Sequence, residues 1–295
     1  MKLQFDPNQD FQKQAIDAIV DVFEGQPLSS SDLDFALTEG SLQFSENGVG
    51  NRIVLTEEQV LKNLQEVQKR NGIELVSEEL DGMNFSVEME TGTGKTYVYL
   101  RTIYELNKRY GFKKFVIVVP SVAIREGVIK NLEITHDHFQ TLYDNVPVDF
   151  AVYDYGKVSH LRGFASSNNI QILVINIDSF AKDENIINKP NDKLTGKCPI
   201  EFVQYTNPFV IVDEPQNMET EIRKLAIQKI NPCCTLRYSA THLNLYNLTY
   251  SLDPVKAYDL GLVKQIEVDS VCFTRPTPSP SLQSRPCSVD IAPTA

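Results

Sequence analysis

The residues whose types and spacing point most directly to chemistry are Met89-Glu90-Thr91-Gly92-Thr93-Gly94-Lys95-Thr96. Ending in Gly-Lys-Thr, the run has the composition of a Walker A loop, which wraps nucleotide phosphates. Glycines at 92 and 94 permit backbone angles and close approach that a Cβ would prevent, so successive N–H groups can converge on one anion. Thr91 to Thr96 are therefore expected to bind nucleotide, with Lys95 reaching the outer phosphates and the Thr96 hydroxyl offered to Mg²⁺. The general pattern has another glycine five residues before Gly94, where this chain carries Met89.

A second stretch, Phe209-Val210-Ile211-Val212-Asp213-Glu214-Pro215-Gln216, is an apolar strand ending in two carboxylates. Asp213 is suited to hold the water shell of Mg²⁺, and Glu214 to orient and deprotonate an attacking water. A third, Arg237-Tyr238-Ser239-Ala240-Thr241, puts small hydroxyl residues at another strand end, placed to link nucleotide state to a neighbouring domain. Near the N-terminus, Phe11 and Gln12 offer an aromatic ring and an amide to adenine, or form an ordinary helix face.

The elements that must position these residues are legible as hydrophobic periodicity. Residues 10–23 place Phe11, Ala15, Ile16, Ile19, Val22 and Phe23 near one helical face, and Thr56 to Gln59 is a capping box opening a helix with Val60, Leu61, Leu64 and Val67 inward. Residues 24–82 show no chemical motif and read as an insertion packed on the main domain. From Phe85 onward, apolar runs (Phe85 to Val87, Phe115 to Val119, Val148 to Val152, Ile172 to Ile175, Phe209 to Val212, Thr235 to Tyr238) alternate with amphipathic ones (Tyr97 to Leu106, Ser121 to Leu132, Ser179 to Ile187, Met218 to Ile230). That alternation predicts an α/β fold of three layers around a mainly parallel sheet, with ligands at the carboxyl ends of the strands.

The chain has 295 residues, 42% of them hydrophobic, enough for a sizeable core, and no apolar run long enough to span a bilayer. The polar N-terminus is not a signal peptide, and five cysteines without metal spacing suit a reducing cytoplasm. A formal net charge of −11 argues against a module that grips nucleic acid by phosphate neutralisation alone, though not against an enzyme with a local basic groove.

In order, Phe11-Gln12, Gly92 to Thr96, Val119-Pro120-Ser121, Asp213 to Gln216 and Ser239-Ala240-Thr241 resemble the first motor domain of superfamily 2 helicases and translocases, whose phosphate loops often lack the first glycine. METGTGKTYV, NPFVIVDEPQNM and RYSATH, with Tyr246 to Val271, look more closely like the Res subunit of type III restriction–modification enzymes. The resemblance implies a single RecA-like ATP-binding domain over 1–271, with Gln12 recognising adenine. Lys95, Asp213 and Glu214 would be catalytic, with Mg²⁺ on Thr96 and Asp213. Gln216, Ser239 and Thr241 would couple hydrolysis to movement, and Pro120 and Ser121, with Asn176 and Asp178 after the strand ending at Ile175, would lie where such motors touch DNA. The cofactors implied are ATP and Mg²⁺; the partners are double-stranded DNA and a methyltransferase (Mod) subunit that reads the recognition sequence. A type I restriction motor, an RNA helicase and a non-catalytic nucleotide-binding module are the competing readings.

Beyond Val271 the periodicity stops, and Cys272 to Ala295 carries five of the fifteen prolines. This tail is expected to be disordered and out of frame, following a product truncated before a second motor domain and a nuclease domain. A fragment without the arginines of that second domain is expected to turn over ATP poorly.

Overall fold

The computed structural model describes residues 4–28, 49–74, 76–194 and 196–263. The tail at 272–295 and residues 29–48 of the inferred insertion lie outside the described residues.

Helices α1 (Asp10–Val20) and α2 (Glu57–Arg70) precede an alternating series. It runs β1 (Asn84–Met89), α3 (Lys95–Tyr110), β2 (Lys114–Val119), α4 (Val122–Leu142), β3 (Val148–Val152), α5 (His160–Ser166) and β4 (Ile170–Asn176). Then come α6 (Pro199–Gln204), β5 (Phe209–Asp213), α7 (Glu221–Lys229), β6 (Cys234–Ser239), β7 (Leu248–Leu252) and α8 (Pro254–Asp259). The strands form one sheet in the order β3-β4-β2-β5-β6-β1-β7, and every neighbouring pair is parallel.

Strand composition explains the layering. On β2, Phe115, Ile117 and Val119 join a core formed with α1 to α4, while Val116 and Val118 join a second core with α5 to α7. Phe209 and Ile211 of β5 divide from Val210 and Val212 in the same way. A strand buried on both faces needs a continuous apolar run, as these two have. The expected three-layer parallel α/β fold is therefore present.

Helix α2 opens on the expected capping box: the Thr56 Oγ1 accepts from the Gln59 N–H, and the Gln59 amide oxygen from the Thr56 N–H at 3.0 Å. Its Val60, Leu64 and Val67 belong to the same core as α1 and α3. Gln68 and Asn71 donate to the carbonyls of Leu248 and Thr249 at 2.9 and 2.7 Å, fixing the helix to the edge strand β7.

The helix expected over 179–187 does not form; single 3-10 turns at Ile177–Ser179 and Ile186–Asn188 stand there. Asparagine side chains capture the backbone groups a helix would use. Asn185 accepts from the Lys182 N–H and donates to Asp178 O, and Asn188 donates to the Phe180 and Lys182 carbonyls. Helix α4, by contrast, runs ten residues past the expected Leu132, because Thr135 and Phe139 prolong its buried stripe. The stretch expected as a helix from Met218 is split into a 3-10 turn (Pro215–Met218) and α7.

Candidate functional site

Because all strands run parallel, the motifs at their C-terminal ends meet on one edge of the sheet. The loop after β1 turns at Gly92 (φ +83°) and Gly94 (φ +91°), both in the left-handed region that favours glycine. A Cβ at Gly94 would also stand 2.7 Å from Gln12 Nε2, so the Gln12 amide would have to move to admit one. Gln12, buried on α1, donates from Nε2 to the Thr93 carbonyl at 3.1 Å, and the Thr93 hydroxyl donates to Glu90 O at 2.6 Å. Helix α3 starts directly after this turn with no side-chain cap, so its first N–H groups face the loop mouth, as an anion site requires.

Lys95 Nζ lies 3.4 Å from the Met89 carbonyl and 3.4 Å from Glu214 Oε1, which brings the glycine loop and the end of β5 into contact. Glu214 has φ +56°, unusual for a residue with a Cβ, and its N–H donates to Tyr238 O at 3.1 Å. The carboxylate continues into a chain of bonds. Gln216 Nε2 donates to Glu214 Oε2 at 2.6 Å, the Ser239 hydroxyl donates to Gln216 Oε1 at 2.7 Å, and the Thr241 N–H donates to Ser239 Oγ at 2.9 Å. Strand β6 lies between β1 and β5, so Ser239 can join the two functional ends.

Asp213 is only 5% exposed and accepts a hydrogen bond from the Tyr99 hydroxyl at 3.1 Å. Burial, then the neighbouring Glu214, push its pKa up to about 6, against the opposing pull of the Tyr99 hydrogen bond and Lys95. Two carboxylates facing one lysine leave the site short of positive charge. Thr96 and Asp213 are hard oxygen donors, which fits Mg²⁺. Among the described residues no cluster of three His, Cys, Asp or Glu side chains could hold a metal. A cation here would depend on phosphate oxygens, the usual arrangement for Mg²⁺.

Beside the loop lies an open pocket of about 520 Å³ lined by Phe5, Asp6, Gln9, Gln12, Gly92, Gly94, Lys95, Thr96, Tyr97 and Asn131, among others. Phe11, offered by the sequence to adenine or to an ordinary helix face, packs on the core from α1 and does not line this pocket. The aromatic that lines it is Phe5, stacked on Tyr97 at 5.9 Å. Phe5 stands outside any periodic element, so pattern could not single it out. Arg237 was legible only as part of a motif; the structure buries it over the Tyr246 ring, 4.5 Å from the centroid, and 3.5 Å from Glu219. Pro120 follows β2 on the same sheet edge, while Ser121 caps α4, its Oγ accepting from the Ile124 N–H at 3.3 Å. Asn176 accepts from the Asp178 N–H, and Asp178 pairs with Arg223 at 2.9 Å.

A parallel sheet covered on both faces, with a glycine loop after β1 meeting an acidic pair after β5, defines the class: a RecA-like three-layer α/β domain. Residues 8–244 match the family described as "Type III restriction enzyme, res subunit". The chain is similar to the EcoPI Res subunit of Escherichia phage P1, 32% identical over 285 residues that cover 89% of this chain and 28% of that one. It is likewise 32% identical to the EcoP15I Res subunit of Escherichia coli over 235 residues, covering 72% and 24%. A solved nuclease-deletion mutant of the Type ISP restriction–modification enzyme LlaGI, in complex with a DNA substrate mimic, is similar over 67% of this chain and 20% of that one, at 14% identity and a TM-score of 0.41. The chain belongs to the type III restriction enzyme Res subunit family. It spans about a quarter of the length of the curated relatives it matches. No helix of the described residues is long and apolar enough to cross a membrane.

Proposed function

We propose that the chain is an ATP-hydrolysing motor domain that acts on double-stranded DNA within a type III restriction endonuclease of the cytoplasm. Residues 1–271 form the domain, with 24–82 as its insertion. The observation that carries this is the contact between Lys95 of the phosphate loop and Glu214 of the acidic pair, with Asp213 buried beside them.

In this role the N–H groups from Thr91 to Thr96 and the Lys95 ammonium bind phosphates, while the pocket beside Phe5 and Gln12 takes the base. Thr96 and Asp213 hold Mg²⁺, which when bound neutralises phosphate charge. Glu214 orients and deprotonates the attacking water. The Glu214–Gln216–Ser239–Thr241 chain of bonds carries the state of the site toward the loop after β6. A Mod methyltransferase subunit selects the DNA sequence, and hydrolysis drives communication along DNA before cleavage. Pro120 and Ser121 border the DNA path.

The test compares Mg·ATP binding and hydrolysis in the chain and in Glu214→Gln. Glutamine keeps the size of the side chain and cannot take the water's proton. Binding is expected within about threefold of the parent, with hydrolysis reduced at least roughly 100-fold, the scale of lost general-base catalysis. Unchanged hydrolysis in Glu214→Gln would remove the proposed role of Glu214, and no binding of Mg·ATP by the parent would remove the ATP site itself.

A further inference from the structure

Tyr99 lies one helical turn beyond Lys95 on α3 and is fully buried. Its hydroxyl donates to Asp213 Oδ2 at 3.1 Å. The i, i+3 spacing of Thr96 and Tyr99 stacks the two on one face of the helix. The phenol therefore bonds one of the two side chains assigned to the cation and sits one turn along the helix from the other, and it does not line the pocket that Thr96 lines.

The surrounding core does not explain the hydroxyl. The ring packs against Tyr238 at 5.5 Å, but the Tyr238 hydroxyl turns away to Thr102 Oγ1 at 3.4 Å. A phenylalanine would fill the same volume. What the oxygen adds is one hydrogen bond to a carboxylate that little water can reach, on an oxygen that fixes the carboxylate's rotation.

We infer that Tyr99 is a positioning residue for the cation: its hydroxyl holds Asp213 in the orientation that accepts Mg²⁺. Groups behind metal ligands fix ligand orientation, and their loss costs roughly 10–100-fold in metal affinity. The inference rests on the ATP-site assignment above, and its test separates the two.

The experiment is equilibrium titration of the full 295-residue chain with a fluorescent ADP, with Mg²⁺ varied and then removed by chelation. In Tyr99→Phe, affinity without Mg²⁺ is expected within twofold of the parent. The Mg²⁺ concentration for half-maximal tightening should rise about tenfold or more. In an Asp213→Asn background the same change should have no further effect on Mg²⁺ dependence, because the partner of the hydroxyl is gone. A Mg²⁺ requirement unchanged within twofold in folded Tyr99→Phe overturns the inference. Equal losses with and without Mg²⁺ also overturn it, because they mark a purely structural residue. If Tyr99→Phe fails to fold, Tyr99→Met, which also lacks the hydroxyl, supplies the second measurement: a rise of about tenfold in the Mg²⁺ requirement is expected, and a requirement unchanged within twofold overturns the inference. Should the parent show no Mg²⁺-dependent nucleotide binding, the ATP-site assignment fails instead.

Discussion

Replacing Gly94 with alanine tests the phosphate loop at the point where its geometry is least forgiving. Two costs add. At φ +91° a residue with a Cβ is strained by roughly 1–2 kcal/mol. The new methyl would also stand 2.7 Å from Gln12 Nε2, displacing an amide whose bond to the Thr93 carbonyl contributes about 1 kcal/mol. Together these make about 2–3 kcal/mol, and they fall on the loop conformation that presents N–H groups to an anion, not on the sheet behind it. Nucleotide affinity should drop roughly 30- to 150-fold, with a much smaller change in thermal unfolding. The assay is a fluorescent-nucleotide titration of the parent, Gly94→Ala, Gln12→Ala and the double variant. Gln12→Ala clears the space beside Gly94, so only the backbone cost remains in the double variant, and the pair should be sub-additive by about 1 kcal/mol. Strict additivity would refute the Gln12 clamp, and unchanged affinity in Gly94→Ala would refute the loop conformation as the one that binds.

Two further outcomes concern the scaffold. Asn51 is buried, donates to Lys114 O at 2.7 Å and accepts from the Lys113 and Lys114 N–H groups at 2.9 and 3.2 Å. Asn51→Ala strands these groups and should lower stability by about 2–4 kcal/mol in urea denaturation; a loss under about 1 kcal/mol contradicts it. Lys114 is fully buried, its Nζ donating to the Phe164 and Ser167 carbonyls at 2.6 Å, and burial lowers its pKa to about 7. Between pH 7 and the unfolded lysine's pKa of about 10.5, the unfolded chain binds more protons than the folded one, so this group makes stability rise with pH. Relative to Lys114→Met, the parent should gain stability across that window, at up to about 1.4 kcal/mol per pH unit; a difference that is flat or falls with pH refutes the assignment.

The sequence carried the central strands and the two decisive motifs because both depend on local composition. A strand buried on two faces has to be continuously apolar, and Phe115 to Val119 and Phe209 to Val212 are. A loop that turns twice in the left-handed region next to an anion needs its two glycines. Less legible was whatever depends on side chains meeting across the fold. The short edge strand β7 (Leu-Thr-Tyr-Ser-Leu) pairs on one side only and mixes polar and apolar residues, so it has no long run to announce it. The 179–187 segment has a helical spacing of apolar residues, yet two asparagines override it by bonding to the backbone. Phe5 and Phe11 illustrate the limit most directly: both are aromatic residues near Gln12, and only the path of the chain before α1 decides which one lines the pocket.

The Lys95–Glu214 pair shows how such a site can be assembled without being locked. Both side chains are partly exposed, 11% and 26%, and their closest atoms are 3.4 Å apart, so solvent screens the pair to about 0–1 kcal/mol. In the proposed ATP site, triphosphate oxygens, with their greater charge and the N–H groups of the loop alongside, would compete for Lys95. Losing the lysine leaves Glu214 with Gln216 as its remaining side-chain partner, and Gln216 already holds Ser239. Nucleotide arrival would thus free Glu214 Oε1 for the attacking water while Oε2 stays held by Gln216. The exchange needs little energy because the contact it breaks is weak, and it has a direction because the contact it keeps is short.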